Sequence, residues 1–99
     1  MKQFAIIIGI IFNINTIQAT DYYLFNTGND SNTGTSQDQA WANLKKLNGV
    51  IFSLKPGDRV FFERGNRFEG TIDINNITGS KVSPVTFGAY GSGENPIIE

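Results

Sequence analysis

The sequence predicts an all-β fold in which short strands stack into a solenoid behind one short helix. Glycine and asparagine each account for 11 of the 99 residues, and both favour turns over helix interiors. A shift of about 25 residues superposes three apolar positions of the second half of the chain, as expected of a repeat. The matched pairs are Val60 and Val85, Phe62 and Phe87, and Ile72 and Ile97. An amphipathic helix precedes these strands, where a solenoid needs a cap over its open edge.

Residues 1–19 have the three-part layout of a secretory signal peptide. Lys2 precedes an unbroken apolar run over residues 4–12, and a polar stretch then leads to Ala19. A membrane-spanning helix needs about 20 apolar residues, so this run is too short to span. We therefore expect cleavage near Ala19 and a protein that is secreted, periplasmic or at the cell surface. Residues 20–99 form the folded part.

The first half of the folded part predicts one strand and one helix. Residues 21–26 are aromatic and apolar, typical of a strand, and residues 27–37 are turn formers, typical of a loop. Ser36 and Gln39 have the spacing of a capping box. Asn48 and Gly49 offer a left-handed helix end. Between them, an apolar stripe recurs at helical steps over Trp41, Leu44, Leu47 and Ile51.

The second half predicts four strands with turns between them. Residues 55–58 form a tight turn with proline and glycine at its centre. Strands are expected over residues 59–64, 68–74, 82–90 and 96–99, separated by a corner at 65–66, a loop at 75–80 and a turn at 91–95. Because the sequence stops on an apolar strand directly after a turn, we expect it to be truncated. A small antiparallel sandwich with a hairpin at 65–66 is the alternative fold.

Composition excludes several kinds of chemistry for this segment. The sequence has no cysteine and no histidine, which removes disulfides, Cys-ligated zinc and His-dependent nucleophilic devices. A net charge of −1 makes nucleic acid a poor partner. No cofactor is expected within this segment, and the oligomeric state is not predicted.

Four groups of residues together resemble the start of secreted bacterial right-handed parallel β-helix proteins of the polysaccharide lyase and pectate lyase type. They are Gly28-Asn29-Asp30 with Gly34-Thr35, Pro56-Gly57-Asp58, Gly65 with Phe68 and Gly70, and residues 84–93 with Pro96. The resemblance runs from about Asp21 to Glu99. It implies an N-terminal cap and the first coils of a right-handed parallel β-helix, with one short capping α-helix.

The resemblance also implies an activity for a longer protein. We expect a polysaccharide lyase that cleaves an acidic polysaccharide by β-elimination, with calcium possible in the longer protein. The alternatives are a glycoside hydrolase on the same scaffold and a non-catalytic surface or adhesion protein. Catalytic coils of such a family would follow this segment, so the segment itself is expected to be inactive, with no catalytic, cofactor or metal residue assigned.

Charged residues nevertheless provide candidates for each chemistry. A lyase needs cations to stabilise the enolate formed after proton removal. The available cations are Lys55, Arg59, Arg64, Arg67 and Lys81. A glycoside hydrolase needs two carboxyl groups across one sugar. The available acids are Asp58, Glu63, Glu69 and Asp73. A solvated surface is the more economical interpretation of both sets.

Two further features suggest binding. Residues 30–34 alternate oxygen-bearing side chains as in a calcium loop, but the distal acid of that motif is lacking, so an Asx turn is favoured. Tyr22, Tyr23, Trp41 and Tyr90 could stack on sugar rings. Trp41 lies on the apolar helix stripe and is expected in the core. Tyr22 and Tyr23 are adjacent in a strand, so one of them faces outward.

Overall fold

A computed structural model of the chain describes residues 19–77 and 84–99. These described residues contain five strands and one α-helix, with three short 3-10 turns at Gln37–Gln39, Ile51–Ser53 and Ile74–Asn76. The elements are β1 (Asp21–Leu24), α1 (Leu44–Val50), β2 (Arg59–Glu63), β3 (Arg67–Phe68), β4 (Thr86–Tyr90) and β5 (Ile97–Ile98).

The strands form two parallel sheets. One sheet has the order β1-β2-β4, and the other pairs β3 with β5. Tyr22 lies opposite Val60, which in turn lies opposite Phe87. Parallel neighbours cannot be joined by a tight hairpin, so the chain turns a corner after β2 and enters the second sheet before it returns. All the described strand pairs are parallel, which rules out the antiparallel sandwich.

The core lies between the inner face of the three-stranded sheet and α1. Alternation in β2 turns Val60 and Phe62 inward, where they are 0% and 2% exposed, and leaves Phe61 on the outer face. The other buried apolar side chains of this cluster are Leu24, Trp41, Leu44, Leu47, Ile51, Leu54 and Phe68. One small cluster thus holds β1, β2, β3 and α1 together.

An extended segment, rather than a helix, covers the outer edge of β1. Trp41 forms a parallel bridge with Leu24. Its amide donates to the carbonyl of Tyr23 at 3.0 Å, and its carbonyl accepts from the amide of Phe25 at 2.9 Å. The amide of Tyr23 donates to the carbonyl of Gly34 at 2.7 Å. These bonds use groups that would otherwise offer a template for another chain.

The predicted helix is much shorter than expected. It begins at Leu44 rather than near Ser36, because Trp41 and Asn43 are extended. Ser36 instead opens a 3-10 turn in which the amide of Gln39 donates to its carbonyl. The expected stop at Asn48 and Gly49 is wrong, because both residues lie inside α1. The helix buries Leu44 and Leu47, so the predicted apolar stripe points to the core.

The predicted strand over residues 68–74 is also wrong beyond Phe68. The side chain of Asn48 donates to the carbonyl of Thr71 at 2.8 Å and accepts from the amide of Asp73 at 2.9 Å. This side chain therefore takes backbone groups that a strand ladder would need. Of the predicted strand over 82–90, residues 82–83 lie outside the described part, as do residues 78–80 of the predicted loop.

The all-β class with one short helix is confirmed, but the specific β-helix expectation is wrong for the described residues. They form a small unit of parallel strands. Its second sheet contains, within the described residues, only β3 and β5, with two residues each. The predicted repeat offset is wrong too. Val60 pairs with Phe87 rather than Val85, and Arg67 pairs with Ile97. Apolar alternation with a period of two makes offsets that differ by two residues look alike.

Within residues 19–77 and 84–99, no helix has the length and apolar character that crossing a bilayer requires.

Substituting Gly34 with alanine is expected to destabilise the fold by about 2 kcal/mol or more. Gly34 has a φ of +76°, and a β-carbon there would lie 2.3 Å from the Trp41 indole. Equilibrium denaturation followed by fluorescence of Trp41, the single tryptophan, measures the loss. Gly49→Ala is the matched control. A β-carbon at Gly49 meets nothing within 4 Å, so alanine there should stabilise α1 by up to about 1 kcal/mol. Equal effects at both positions would contradict this packing.

Candidate functional site

Three aromatic rings share the outer face of the three-stranded sheet. Tyr23 lies against Phe61 with ring centroids 5.7 Å apart and meets Tyr90 edge-on at 5.2 Å. All three residues are half-buried. We call Tyr23, Phe61 and Tyr90 the aromatic face.

Strand register brings these rings together. Tyr23 lies opposite Phe61 in the β1–β2 pair, and Glu63 lies opposite Tyr90 in the β2–β4 pair. Phe61 is opposite Gly88, where an added β-carbon would lie 3.3 Å from the Phe61 ring. Because Gly88 has no side chain, the Phe61 ring can lie over it.

An ion pair borders one side of the aromatic face. The Arg59 guanidinium donates two hydrogen bonds of 2.8 Å to the Asp21 carboxylate. It also lies 5.1 Å from the centroid of Phe61, within cation–π range. Hydrogen bonding to Arg59 lowers the pKa of the Asp21 carboxyl, against a smaller opposing effect of desolvation. Arg59 is thus held in place between a carboxylate and a ring.

Tyr90 and Glu63 border the other side. Burial raises the pKa of Tyr90 to about 12, and the neighbouring charge of Glu63 adds to the shift. The Tyr90 hydroxyl donates to the carbonyl of Leu24 at 3.4 Å. Glu63 accepts a bond of 3.0 Å from the amide nitrogen of Asn66. This phenol stays protonated at neutral pH and acts as a contact group rather than as a base.

The arrangement is suited to binding rather than to bond cleavage. Flat half-exposed rings with polar groups at their edges can contact a ligand that has an apolar face and a polar rim. Within the described residues, no group of three or more His, Cys, Asp or Glu side chains is placed to hold a metal ion.

The predicted basic residues lie apart from one another. Arg59 belongs to the ion pair with Asp21, and Arg67 is paired with Glu99. Arg64 lies at the corner, where its side chain donates to the carbonyl of Gly91 at 3.4 Å. Lys55 is exposed at the turn before β2. Lys81 lies outside the described residues.

The predicted acidic residues also serve separate purposes. Asp58 is 1% exposed, and its two oxygens accept from the amides of Thr20 and Lys55 at 2.8 Å each. It is therefore a structural residue. Glu63 borders the aromatic face, whereas Glu69 and Asp73 are exposed in the segment after β3. The structure assigns none of them to a catalytic pair.

The side chains at the start of the loop over residues 30–34 bond to the protein's own groups rather than being left free for calcium. We call the hydrogen bonds from Ala42 and Asn43 to the Asp30 carboxylate the Asp30 clamp. The Asn29 side chain accepts from the amide and hydroxyl of Ser31, which is an Asx turn. The Asp30 carboxylate accepts from the amides of Ala42 and Asn43 at 2.8 and 3.1 Å, and from the Asn43 side chain at 2.8 Å. Desolvation alone would raise the pKa of Asp30, but these hydrogen bonds outweigh it and lower the pKa.

Among the predicted aromatic residues, Tyr23 and Tyr90 reach the outer face and the other two do not. Trp41 is 3% exposed, and its indole nitrogen donates to the carbonyl of Asn32 at 2.8 Å. Tyr22 stacks on Trp41 at 5.3 Å. Sequence reasoning missed Phe61 and Asn66. Alternation in β2 could have placed Phe61 outward, whereas no local pattern indicates that Asn66 contacts both β2 and the loop after β1.

Two comparisons relate the chain to known proteins. It is 36% identical to a lacto-N-biosidase of Bifidobacterium longum subsp. longum, over 84% of this chain and 5% of that protein. It also resembles the crystal structure of the GH136 lacto-N-biosidase from Eubacterium ramulus, with a TM-score of 0.66 and 38% identity over 75% of this chain and 12% of that one. The chain is similar to lacto-N-biosidases. It spans a small part of each relative. No family model matches the sequence.

These relatives correct the expected family. The sequence was expected to resemble polysaccharide lyases and pectate lyase-like proteins, and that expectation is wrong, because the relatives are glycoside hydrolases. The residues that carried the resemblance are mostly turn residues, and they indicate where the chain bends. Proteins with different activities can share such bends. The alternative of a glycoside hydrolase is better supported than the lyase.

Acid should weaken the fold in part through Asp30. Because its pKa is lower in the folded chain than in the unfolded chain, its stabilising effect is present above about pH 4 and is lost as pH falls through the folded pKa. At neutral pH, Asp30→Ala should cost about 1–3 kcal/mol. Asp30→Asn should cost less, because its oxygen can still accept from both amides. Denaturation curves at several pH values test this. If the wild type and Asp30→Asn differ as much at the lowest pH as at neutrality, the clamp is not ionic.

One tyrosine should titrate near pH 12. Phenolate absorbance measured against pH should show this late step in the wild type and lose it in Tyr90→Phe. Glu63→Gln should move the step to lower pH, because it removes a charge that opposes phenolate formation. Since the folded chain holds this proton more tightly, its stability should fall as pH rises from about 10 towards 12. A late step that survives in Tyr90→Phe would contradict the assignment.

Proposed function

We propose that this chain is the N-terminal part of a secreted glycoside hydrolase that removes a lacto-N-biose unit from a larger glycan. The observation that carries the proposal is the likeness to a GH136 lacto-N-biosidase at 38% identity and a TM-score of 0.66. The signal-like layout of residues 1–19 supports export. Because the chain matches 12% of that structure, activity is proposed for a longer protein that contains this segment.

Within such a protein, we assign the aromatic face a binding role. Tyr23, Phe61 and Tyr90 present ring surface to the outside of a rigid parallel sheet, and neighbouring strands fix their spacing. The C–H faces of a sugar ring can pack on such rings while its hydroxyl groups bond to polar groups at the rim. The Arg59–Asp21 pair and Glu63 supply that rim.

The segment is proposed to have no hydrolytic activity of its own. Glycoside hydrolysis uses two carboxyl groups on opposite sides of the scissile bond. Asp58 is held by backbone amides, and Glu63 by Asn66. We expect the acid and base of the reaction, and any calcium, elsewhere in the longer protein.

Activity measurements on two samples test the proposal. The chain of 99 residues should release no product from p-nitrophenyl lacto-N-bioside. The longer protein encoded by the natural open reading frame that contains this segment should release p-nitrophenol. Neither sample should form unsaturated products from polyuronate. Failure of the longer protein to cleave the bioside would overturn the proposal, and turnover by the short chain would overturn the assignment of the catalytic groups.

Variants of the longer protein test the aromatic face. Tyr23→Ala should raise KM for a glycan substrate about 2- to 13-fold, because a lost ring contact is worth roughly 0.5–1.5 kcal/mol, while kcat changes less. Tyr23→Phe keeps the ring and is the matched control, with kinetics close to the wild type. An unchanged KM in Tyr23→Ala would exclude a role for this face in substrate binding.

A further inference from the structure

A polar cleft lies beside β3, on the side away from β5. It has a volume of about 310 Å³ and is lined by Asn26, Ala42, Asn43, Arg67, Phe68 and Glu69. These residues come from three separate parts of the chain: the loop after β1, the segment before α1, and β3 with the residue after it. The cleft is therefore a product of the tertiary structure.

The hydrogen-bond ladder of β3 aims backbone groups into this cleft. The carbonyls of Asn66 and Phe68 accept from the amides of Ile97 and Glu99, and the amide of Gly70 donates to Glu99. Residues 66, 68 and 70 thus face β5. Because backbone groups alternate in direction along a strand, the amides and carbonyls of Arg67 and Glu69 point the opposite way.

No described strand occupies the position next to β3 on that side. In the three-stranded sheet, β1 lies beside β2, but the chain after β1 turns away to the loop that holds Asn26. The amide of Asn26 donates to the side chain of Asn66 at 2.7 Å, which holds this loop at the mouth of the cleft. The space is thus an open cleft lined mainly by polar residues.

The charges around the cleft favour a neutral ligand. Arg67 is already paired with Glu99, and the side chain of Asn43 donates to Asp30. Glu69 is exposed, and no hydrogen bond or ion pair joins its side chain to another described residue. With Arg67 neutralised, Glu69 would repel a carboxylate such as that of a uronic acid. A hydroxyl-rich neutral molecule could donate to Glu69 and accept from the asparagine amides.

We propose that this cleft binds one neutral sugar ring of a glycan. The proposal rests on the proposed carbohydrate function and extends it to a second place on the molecule. The cleft is large enough for a monosaccharide and supplies carboxylate, amide and backbone groups that can bond to adjacent hydroxyls. The backbone amides of Ala42 and Asn43, just before α1, already donate to Asp30. The proposed sugar contacts therefore do not involve these two amides.

Hydrogen bonds of Asn66 link the cleft to the aromatic face. The side chain of Asn66 donates to Glu63, which borders that face, and accepts from Asn26, which lines the cleft. One asparagine therefore touches both regions. An extended peptide is the less favoured ligand for two reasons. Among the described residues of this edge, only Arg67 and Glu69 direct backbone groups into the cleft, and their charged side chains disfavour pairing with another strand.

Amide chemical shifts of the labelled chain test the proposal directly. Galactose, N-acetylglucosamine and lacto-N-biose are the neutral probes, and galacturonate is the charged one. At least one neutral sugar should shift the amides of Glu69, Arg67 and Asn43, with a dissociation constant on the order of millimolar, and galacturonate should bind several-fold more weakly. Shifts confined to Tyr23, Phe61 and Tyr90, no shifts at all, or binding of an extended peptide alone would overturn the proposal.

Matched variants separate the cleft from the rest of the surface. Glu69→Gln keeps the size of the side chain and should weaken sugar binding roughly tenfold through the loss of charged hydrogen bonds. Asn26→Ala is a second variant on the opposite wall and should weaken it as well. Asp73→Asn changes an exposed acid outside the cleft and should leave binding unchanged. Dispersed amide spectra establish that each variant is folded, and unaltered affinity in both cleft variants would overturn the proposal.

This outcome is distinguishable from failure of the proposed function. If the longer protein cleaves the bioside while the cleft amides do not respond to sugars, only the cleft assignment is wrong. If the cleft binds a neutral sugar and the longer protein has no hydrolase activity, the proposed function is wrong and the cleft remains a sugar site.

Discussion

Asp58 sets the register on which the rest of the structure depends. Its carboxylate accepts from the amides of Thr20 and Lys55, and its carbonyl accepts from the amide of Thr86. The residue therefore lies where all three strands of the larger sheet begin. A buried carboxylate is costly unless it is hydrogen-bonded, so the bond from Thr20 favours this one alignment of β1 and β2.

Register in turn decides which side chains form the core and which form the outer face. In a strand, a slip of one residue exchanges the two faces completely. With Tyr23 opposite Phe61, the inner side takes Leu24, Val60 and Phe62, and the aromatic face is left outside. The aromatic face and the core are thus two results of the same alignment.

The corner after β2 connects the two regions to which we assign carbohydrate contacts. Asn66 holds Glu63 on one side and the loop of Asn26 on the other. Asn48 holds the chain after β3 against α1, which prevents that segment from continuing as a strand. The side chains of two asparagines therefore shape the polar surface.

The sequence by itself determined the all-β class with one short helix and the approximate positions of β1, β2, β4 and α1. Alternation in residues 59–63 and the apolar spacing of Leu44 and Leu47 depend on neighbours along the chain, and these local signals agree with the structure. The kind of enzyme could not be predicted from the sequence, because turn residues indicate where the chain bends and not which ligand it binds.

Only the tertiary structure decided the pairing offset, the helix start and the candidate sites. The offset depends on contacts such as that between Asp58 and Thr20, which are 38 positions apart. The helix starts late because Trp41 bonds to β1, a contact that local propensity does not contain. The cleft joins residues 26, 43 and 69, and no periodicity brings such distant positions together. Local spacing specifies which way a side chain faces, whereas long-range hydrogen bonds specify what it faces.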